Sequence, residues 1–343
     1  MTNEPLKWGI LSAAKICNDF LAAMTTLPDG ENIPVAIAAR SKKSAQEMAD
    51  KFLIPTAYEG YDALLDDVNV QIVYIGTLNN FHFEWIKKFL NAGKHVFCEK
   101  PLCLNTDQTE EVFALARSKK LFLAEAMWSR YNPSIKKMRE IIRSGTLGDV
   151  VDAQANLGYD IINVPRIKSK QHGGGALLDL GVYSVMGILT AFDDVEPNKI
   201  HVMGSADDET GVDEKANITM VFSNGRFGVA KTSVLAELDN TMTVTLQKGR
   251  IVLPDFWSGY KVEIHRNDTP GEIEKTEFPP PKAAHPFNFN NSANMRNEIR
   301  CVRKAVQEGL TESTEWDSRM SILTAKILTR ARHEFNYKFD FEK

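Results

Sequence analysis

The sequence predicts an α/β protein with an N-terminal doubly wound parallel sheet and a second, α+β domain built on a large, mostly antiparallel sheet. Three observations carry this. Short apolar runs alternate with amphipathic segments through the first third. Near Met127 the pattern changes to longer strand-like stretches joined by a hairpin turn. At 343 residues and roughly 150 residues per domain, the chain is long enough for about two domains.

The strand candidates of the first third are Leu6–Leu11, Val35–Ala39, Val70–Gly76, Lys94–Cys98 and Leu121–Ala126. They are apolar at consecutive positions, as strands are when both faces of a parallel sheet are covered. Helices are predicted between them. Ser41 caps 42–52, His82–Asn91 stops at Gly93, and Asn105 or Thr106 caps 107–119, where acids come early and Lys119 and Lys120 late. Asn132-Pro133 opens a helix whose buried face is Ile135, Met138 and Ile142 and whose end is Gly145. Strands are then expected over 150–159, 200–206, 216–222, 227–235 and 242–247, with Ser223-Asn224-Gly225 as a hairpin turn. Two amphipathic helices near 293–308 and 315–333 close the chain. The boundary falls at 127/128: 1–127 binds nucleotide and 128–343 takes the substrate, its last helices free to pack back on the first domain.

Composition excludes several classes. Hydrophobic residues are 43% and charged residues 25%, ordinary for a globular protein. Forty-one basic against 45 acidic side chains give a net charge of −4, which argues against nucleic acid as a partner. Cys17, Cys98, Cys103 and Cys301 form no CxxC pair, so neither a disulfide scaffold nor a metal site is expected, and a reducing, cytoplasmic setting fits. The opening MTNEPLKWGILS has no basic and apolar leader pattern, and no apolar run approaches the ~20 residues of a membrane span.

A parallel α/β domain suggests a nucleotide, yet the glycine-rich turn after the first strand is missing. Ser12, Ala14 and Cys17 stand at its glycine positions, flanked by Lys15 and Ile16. All three are small, so a pyrophosphate can still approach the helix N-terminus. On this segment alone a plain strand–helix turn fits as well. The second strand ends in Arg40-Ser41 where an NAD site usually has an acid. A cation and a hydroxyl suit a 2′-phosphate, hence NADP; the competing reading is a cap and a solvated cation. Glu99-Lys100-Pro101 places a Lys at a strand end, where bulk water would be the cheaper environment for it.

The strongest signal is Gly173–Tyr183, three glycines entering a helix apolar nearly all round. Asp179 and Tyr183, four apart, share a face, and a buried carboxylate needs a partner. Gly175 and Gly187 extend that stripe, which points to something approaching closely; the competing reading is a structural Asp–Tyr contact. Trp128 and Arg130 either line the cleft or pack between domains. His82 and His172 are either acid–base groups or ordinary cap and surface residues. Trp257 can wall a pocket, and Phe287 and Phe289 are expected in a core.

Ala92-Gly93-Lys94-His95-Val96 running into Glu99-Lys100-Pro101, and Gly174–Leu178 running into Asp179-x-Gly-x-Tyr183, are recognisable. On these motifs the chain resembles the glucose–fructose oxidoreductase / inositol dehydrogenase / rhizopine-catabolism family. Phe122–Pro133, Gly145–Gly148 and Asn288–Met295 extend the resemblance over nearly the whole chain, toward the branch that acts on dihydrodiols and aldopentoses. The resemblance implies a Rossmann domain, then an open-faced sheet that often forms a homodimer. It implies NADP, with Lys100 reaching the nicotinamide and substrate, and a cis bond before Pro101. Many members have His where Tyr183 stands. The catalytic set is then Lys100, Tyr183 and Asp179. The cofactor set is Ser12, Ala14, Lys15, Ile16, Arg40, Ser41, Thr77, Asn79, His82, Glu99, Lys100, Trp128 and Arg130. Trp128, Tyr159, His172 and Trp257 are assigned to the substrate. The activity implied is hydride transfer between NADP and a hydroxyl-bearing carbon of a diol or sugar. A carbonyl or dicarbonyl reductase and a non-catalytic NADP sensor are the alternatives.

Overall fold

A computed structural model describes residues 4–342. The chain divides into two compact units: residues up to Cys103 with Asp107–Trp128 and Pro280–Ser321, and Leu104–Thr106 with Ser129–Pro279 and the chain from Ile322 onward.

In the first unit the elements alternate as β1 (Leu6–Leu11), α1 (Lys15–Met24), β2 (Asn32–Ala39), α2 (Lys42–Phe52), β3 (Thr56–Glu59), α3 (Ala63–Asp66), β4 (Ile72–Ile75), α4 (His82–Asn91), β5 (His95–Glu99), α5 (Thr106–Lys119) and β6 (Leu123–Ala126). The six strands are parallel in the order β3-β2-β1-β4-β5-β6, so the strand order reverses between β1 and β4. That is the doubly wound order, whose ligand crevice lies at the switch point beyond the strand ends. Ser41 caps α2, its hydroxyl accepting from Ser44 N at 3.2 Å. Gly93, at φ +77, follows the C-terminus of α4. The core is aromatic: Phe20 stacks on Tyr74 at 3.7 Å, Trp8 meets Phe20 edge-on at 5.3 Å, and Phe97 adjoins Tyr74 at 6.0 Å. Rings buried this completely contribute about 1.5–3 kcal/mol each through lost apolar surface, and their pairing about 0.5–1.5 kcal/mol more.

The second unit opens on α6 (Pro133–Ser144) and β7 (Val150–Gly158). A single wide π turn (Leu177–Gly181) leads into α7 (Val182–Ala191), and β8 (Lys199–Ala206), β9 (Asp213–Val221), β10 (Phe227–Ser233), β11 (Met242–Leu246), β12 (Gly249–Leu253), β13 (Lys261–Arg266) and β14 (Ile273–Glu277) follow. The eight strands run β14-β13-β12-β11-β7-β10-β9-β8, antiparallel except for β7 with β10. The β9–β10 hairpin turns at Asn224 and Gly225, with φ +61 and +71, as the Asn-Gly pair predicts. Every residue of α7 is buried. Its polar side chains are satisfied: Ser184 Oγ donates to Lys231 O at 3.1 Å and Thr190 Oγ1 to Met186 O at 2.7 Å. The apolar 18-residue window within 170–191, the one helical stretch among the described residues long and apolar enough to cross a membrane, is wholly buried inside the protein. Met242, Val244 and Leu246 point inward along β11, while Thr243 and Thr245 point outward opposite Gln154 and Asp152. The second face of this part of the sheet is thus polar, rich in Thr and Asn, rather than apolar.

Finally, α8 (Arg296–Gln307) belongs to the first unit and α9 (Ser318–Glu334) begins there and continues in the second. Ahead of α8, the buried carboxylate of Asp19 on α1 accepts from Asn288 N at 2.8 Å and Phe289 N at 2.9 Å. Phe287 and Phe289 do not pack a core: Phe287 is half-buried and Phe289 is 39% exposed, because backbone bonds to Asp19 hold this strap in place of apolar burial. Asn132 precedes α6 as expected, but its side chain makes no cap bond; both polar atoms are buried without a partner.

Candidate active site

The first site element is the turn between β1 and α1. Ser12 takes φ +99, a conformation rare outside glycine that costs of order 1–3 kcal/mol. Its own bonds hold it there. Ser12 N donates to Ala38 O at 2.8 Å, Ser12 Oγ donates to Gly76 O at 2.8 Å, and the same oxygen accepts from Ala14 N at 3.1 Å. The first glycine position therefore needs a left-handed backbone, and serine supplies it while tying together the ends of β2, β1 and β4. Cys17 fills the space a Cβ at position 76 would occupy, 2.4 Å from its Sγ, so Gly76 is obligatory. Burial pushes the Cys17 thiol up to about 12, which makes it packing and not a nucleophile.

The first intrahelical bond of α1 is Asn18 N to Ala14 O at 3.1 Å, so the amides of Lys15, Ile16 and Cys17 lie ahead of it. No acidic residue stands in this first turn. Small side chains and three forward amides make an anion cradle at the switch point. At the end of β2, Arg40 is exposed and has no hydrogen-bond or ion-pair partner among the described residues. Its neighbours are committed: Ser41 caps α2, Lys42 Nζ donates to Ala57 O at 2.5 Å, and Lys43 lies 3.9 Å from Glu47.

Lys100 follows β5, half-buried, with a cis bond to Pro101. Buried polar groups pin both its flanks. Glu99 Oε1 accepts from the Tyr74 hydroxyl at 2.5 Å and Oε2 from Lys100 N at 3.3 Å. His82, fully buried, lies 2.9 Å from Pro101 O through Nδ1 and 3.3 Å from Thr77 O through Nε2. Burial lowers its pKa. Glu125 on β6 accepts from Leu102 N at 2.9 Å and from Trp316 Nε1 at 2.9 Å. His82 is thus no surface residue; its backbone caps the short turn at Asn79–Phe81 and its ring joins the β4 and β5 loops. Thr77 and Asn79 follow β4 half-buried, and Trp128 is buried in a short turn after β6.

The second unit holds the other candidates. Asp179 lies in the π turn and Tyr183 one turn later, both buried. Arg166 takes the Asp179 carboxylate on two prongs, at 2.5 and 3.3 Å, and the carboxylate in turn raises the Arg166 pKa. Trp257 bridges the aromatic candidates: its ring is 6.0 Å from Tyr183 and 6.1 Å from Tyr159, and its Nε1 donates to Tyr159 Oη at 3.1 Å. His172 sits half-buried just before the glycines, its Nδ1 buried without a partner.

Two expectations need correction here. Gly175 lies ahead of the helix at φ +103, not within its stripe, and a Cβ there would stand 2.3 Å from Asp213 Oδ1. What approaches the glycines is the protein itself: Asp213 beside Gly175, whose other oxygen accepts from Leu177 N at 2.6 Å, and Met242 with Phe256 beside Gly187. Burial raises the Asp213 carboxyl to about 7. Arg130 is also spoken for. Buried at 1% exposure, it pairs with Asp194 Oδ2 at 2.5 Å and donates to Thr190 Oγ1 at 2.6 Å, a packing duty inside this unit. Sequence reasoning missed Arg166, Asp213 and Tyr74; the carboxylate on an apolar helix was the one signal that a cation had to be near.

A dinucleotide-type Rossmann unit with forward amides at its switch point and a strand-end lysine is the arrangement a nicotinamide-dependent oxidoreductase requires. Residues 6–126 match the family described as "Oxidoreductase family, NAD-binding Rossmann fold", and 135–252 match its "GFO/IDH/MocA C-terminal domain". The chain belongs to the GFO/IDH/MocA family. It is 37% identical over 338 residues to trans-1,2-dihydrobenzene-1,2-diol dehydrogenase of Mus musculus, covering 98% of this chain and 99% of the relative. The human protein of that name is 37% identical over 339 residues, again covering 98% and 99%. A 3-ketoreductase from Actinomadura kijaniata, solved with NADP and TDP-benzene, superposes with a TM-score of 0.82 at 25% identity, covering 96% of this chain and 98% of that one.

Proposed function

We propose that this protein is an NADP-dependent dehydrogenase that oxidises a hydroxyl-bearing carbon of a trans-dihydrodiol or a D-xylose-like aldose. The observation that carries the reading is the anion cradle at Ser12–Cys17 on the same sheet edge as the anchored Lys100. Small side chains, forward amides and the obligatory Gly76 fit a pyrophosphate, and the exposed Arg40 fits a 2′-phosphate. Ser12, Ala14, Lys15 and Ile16 hold the phosphates, Arg40 and Ser41 the ribose end, and Thr77, Asn79 and Trp128 flank the nicotinamide end. His82 and Glu99 serve by fixing the Lys100 loop, and Arg130 is left out.

Bound nicotinamide supplies the hydride acceptor. Tyr183 takes the hydroxyl proton. A free tyrosine has a pKa of about 10, so it needs a cation to work near neutrality, and Lys100 is assigned that role. Asp179, its charge held by Arg166, orients the hydroxyl. Pairing Lys100 with Tyr183 rests on the family resemblance. Trp257, Tyr159 and His172 wall the substrate. The test is reduced-nicotinamide absorbance with a trans-dihydrodiol, D-xylose, D-glucose and myo-inositol. Turnover on the diol or pentose with NADP supports the reading, and NADP binding without turnover moves it to a sensor. Similarity to a 3-ketoreductase favours asking the reductive direction too, by measuring dicarbonyl reduction in the same assay.

Replacing Arg40 with Ala is expected to raise the Kd for NADP about ten- to a hundredfold, as loss of a charge-assisted bond implies, and to leave NAD nearly unchanged. Titration of both cofactors checks this; equal losses would remove Arg40 from the site. A homodimer through the eight-stranded sheet is part of the proposal. Its polar face, with Thr243, Thr245 and Asn217 half-buried, makes hydrogen bonds the expected glue. Sedimentation at micromolar concentration is expected to give the dimer, and a single-chain species would contradict it. Three buried free cysteines fit a cytoplasmic location, which fractionation of the source cells tests.

A further inference from the structure

We propose that Tyr74 is the positioning residue of Lys100 and acts through Glu99. The inference rests on the catalytic role given to Lys100 above. Tyr74 is fully buried at the middle of the sheet, and its ring lies flat on Phe20 at 3.7 Å and 8°. The stack leaves the hydroxyl one direction to point, and at 2.5 Å it meets Glu99 Oε1. The other oxygen of the same carboxyl accepts the backbone N–H of Lys100. One buried carboxyl therefore spans from the core tyrosine to the lysine that the chemistry needs.

A carboxylate at 5% exposure holds its charge only through such partners. Burial pushes the Glu99 carboxyl up to about 7, the Tyr74 hydroxyl, the Lys100 ammonium and the Lys100 amide pull it down, and Glu125 pushes it up. Cys17, Cys98 and Glu298 also face this group. Burial, chiefly, raises both thiols and the Glu298 carboxyl above their ordinary ranges, which disfavours their charged forms. Both Glu298 oxygens are buried without a partner among the described residues. Glu125 is raised by burial as well and is bonded to Leu102 N and Trp316. Tyr74 is thus the one neutral donor side chain shown on the Glu99 carboxyl. When Glu99 is ionised, its charge lies behind Lys100 and favours the ammonium. When Glu99 is protonated, that support is gone and the amide of Lys100 faces a weaker acceptor.

Tyr74→Phe keeps the ring stack and removes only the hydroxyl. The donor favours the ionised carboxyl, so its loss raises the pKa of Glu99, and activity should need a higher pH. Two readouts separate this from general damage. In cofactor-free protein, the infrared carboxyl band that vanishes in Glu99→Gln should titrate about one pH unit higher in Tyr74→Phe than in wild type. In turnover with NADP, the acid limb of kcat/KM should move up by the same amount, with NADP affinity unchanged on the alkaline side, and Glu99→Gln should lose that limb altogether. If Tyr74→Phe fails to fold by circular dichroism, Glu99→Gln alone carries the test: an acid limb that persists in it overturns the proposal. An unmoved carboxyl midpoint in folded Tyr74→Phe overturns it as well. A midpoint that moves while the acid limb stays breaks the link from Glu99 to Lys100. Absence of turnover in wild type, with the carboxyl titration intact, refutes the function reading and leaves Lys100 without a reaction to be positioned for.

Discussion

Replacing Lys100 with Met is expected to lower turnover at least about 10²-fold while NADP still binds. The two halves of that result have different origins. On the proposed reading, binding energy comes from the cradle at Ser12–Cys17 and from Arg40, and neither depends on the lysine's ammonium. Turnover, on the same reading, requires a cation where the tyrosine proton leaves and the alkoxide develops. Methionine keeps the length and apolar stem of lysine and removes the charge. Glu99, His82 and Glu125 would still fix the backbone of the loop, so a folded variant should result. Steady-state rates and a cofactor titration on one preparation check it. Near-normal turnover would take Lys100 out of the mechanism.

Tyr183→Phe is expected to cost a comparable factor, about 10²-fold or more in kcat, again with NADP affinity preserved. The ring is buried in α7 and lies beside Trp257, so phenylalanine should keep the packing and lose only the hydroxyl. On the proposed reading the Tyr183 phenolate is the proton acceptor, so the variant's residual rate should also lose the rise toward alkaline pH that tyrosine deprotonation gives. The pH profile of kcat in the variant measures this. A variant that keeps wild-type rates would shift the acid–base role to another group, with His172 first in line because its ring nitrogen is buried and unpartnered.

Much of the fold is legible in the sequence itself. The buried strands of the first unit announce themselves by runs such as Ile72–Ile75, and α2 by Ser41. β3, at Thr56–Glu59, escaped because an edge strand of four residues with polar ends has no periodicity to detect. β13 escaped although Val262 and Ile264 alternate with Lys261 and Glu263, since charges on the open face disguise the period of two. At the site, local chemistry was legible and long-range contact was not. The small side chain of Ser12 at a glycine position is legible in the sequence, but the bond from its hydroxyl to Gly76, 64 residues away, is not. Gly175 signals a close approach without saying of what, and the neighbour is Asp213 from the start of β9. The π turn at Leu177–Gly181 leaves no mark in a residue string, nor do the contacts made there, Asp179 with Arg166 and Leu177 N with Asp213.

The central claim, that a hydroxyl-bearing carbon gives up hydride directly to bound NADP, is tested most directly with substrate deuterated at that carbon. The reduced cofactor from a single turnover would be isolated and weighed by mass spectrometry. The account predicts that the label stays with the nicotinamide in wild type and that Tyr183→Phe slows its transfer without redirecting it. Label found in water, or a reduced cofactor without label, would contradict it.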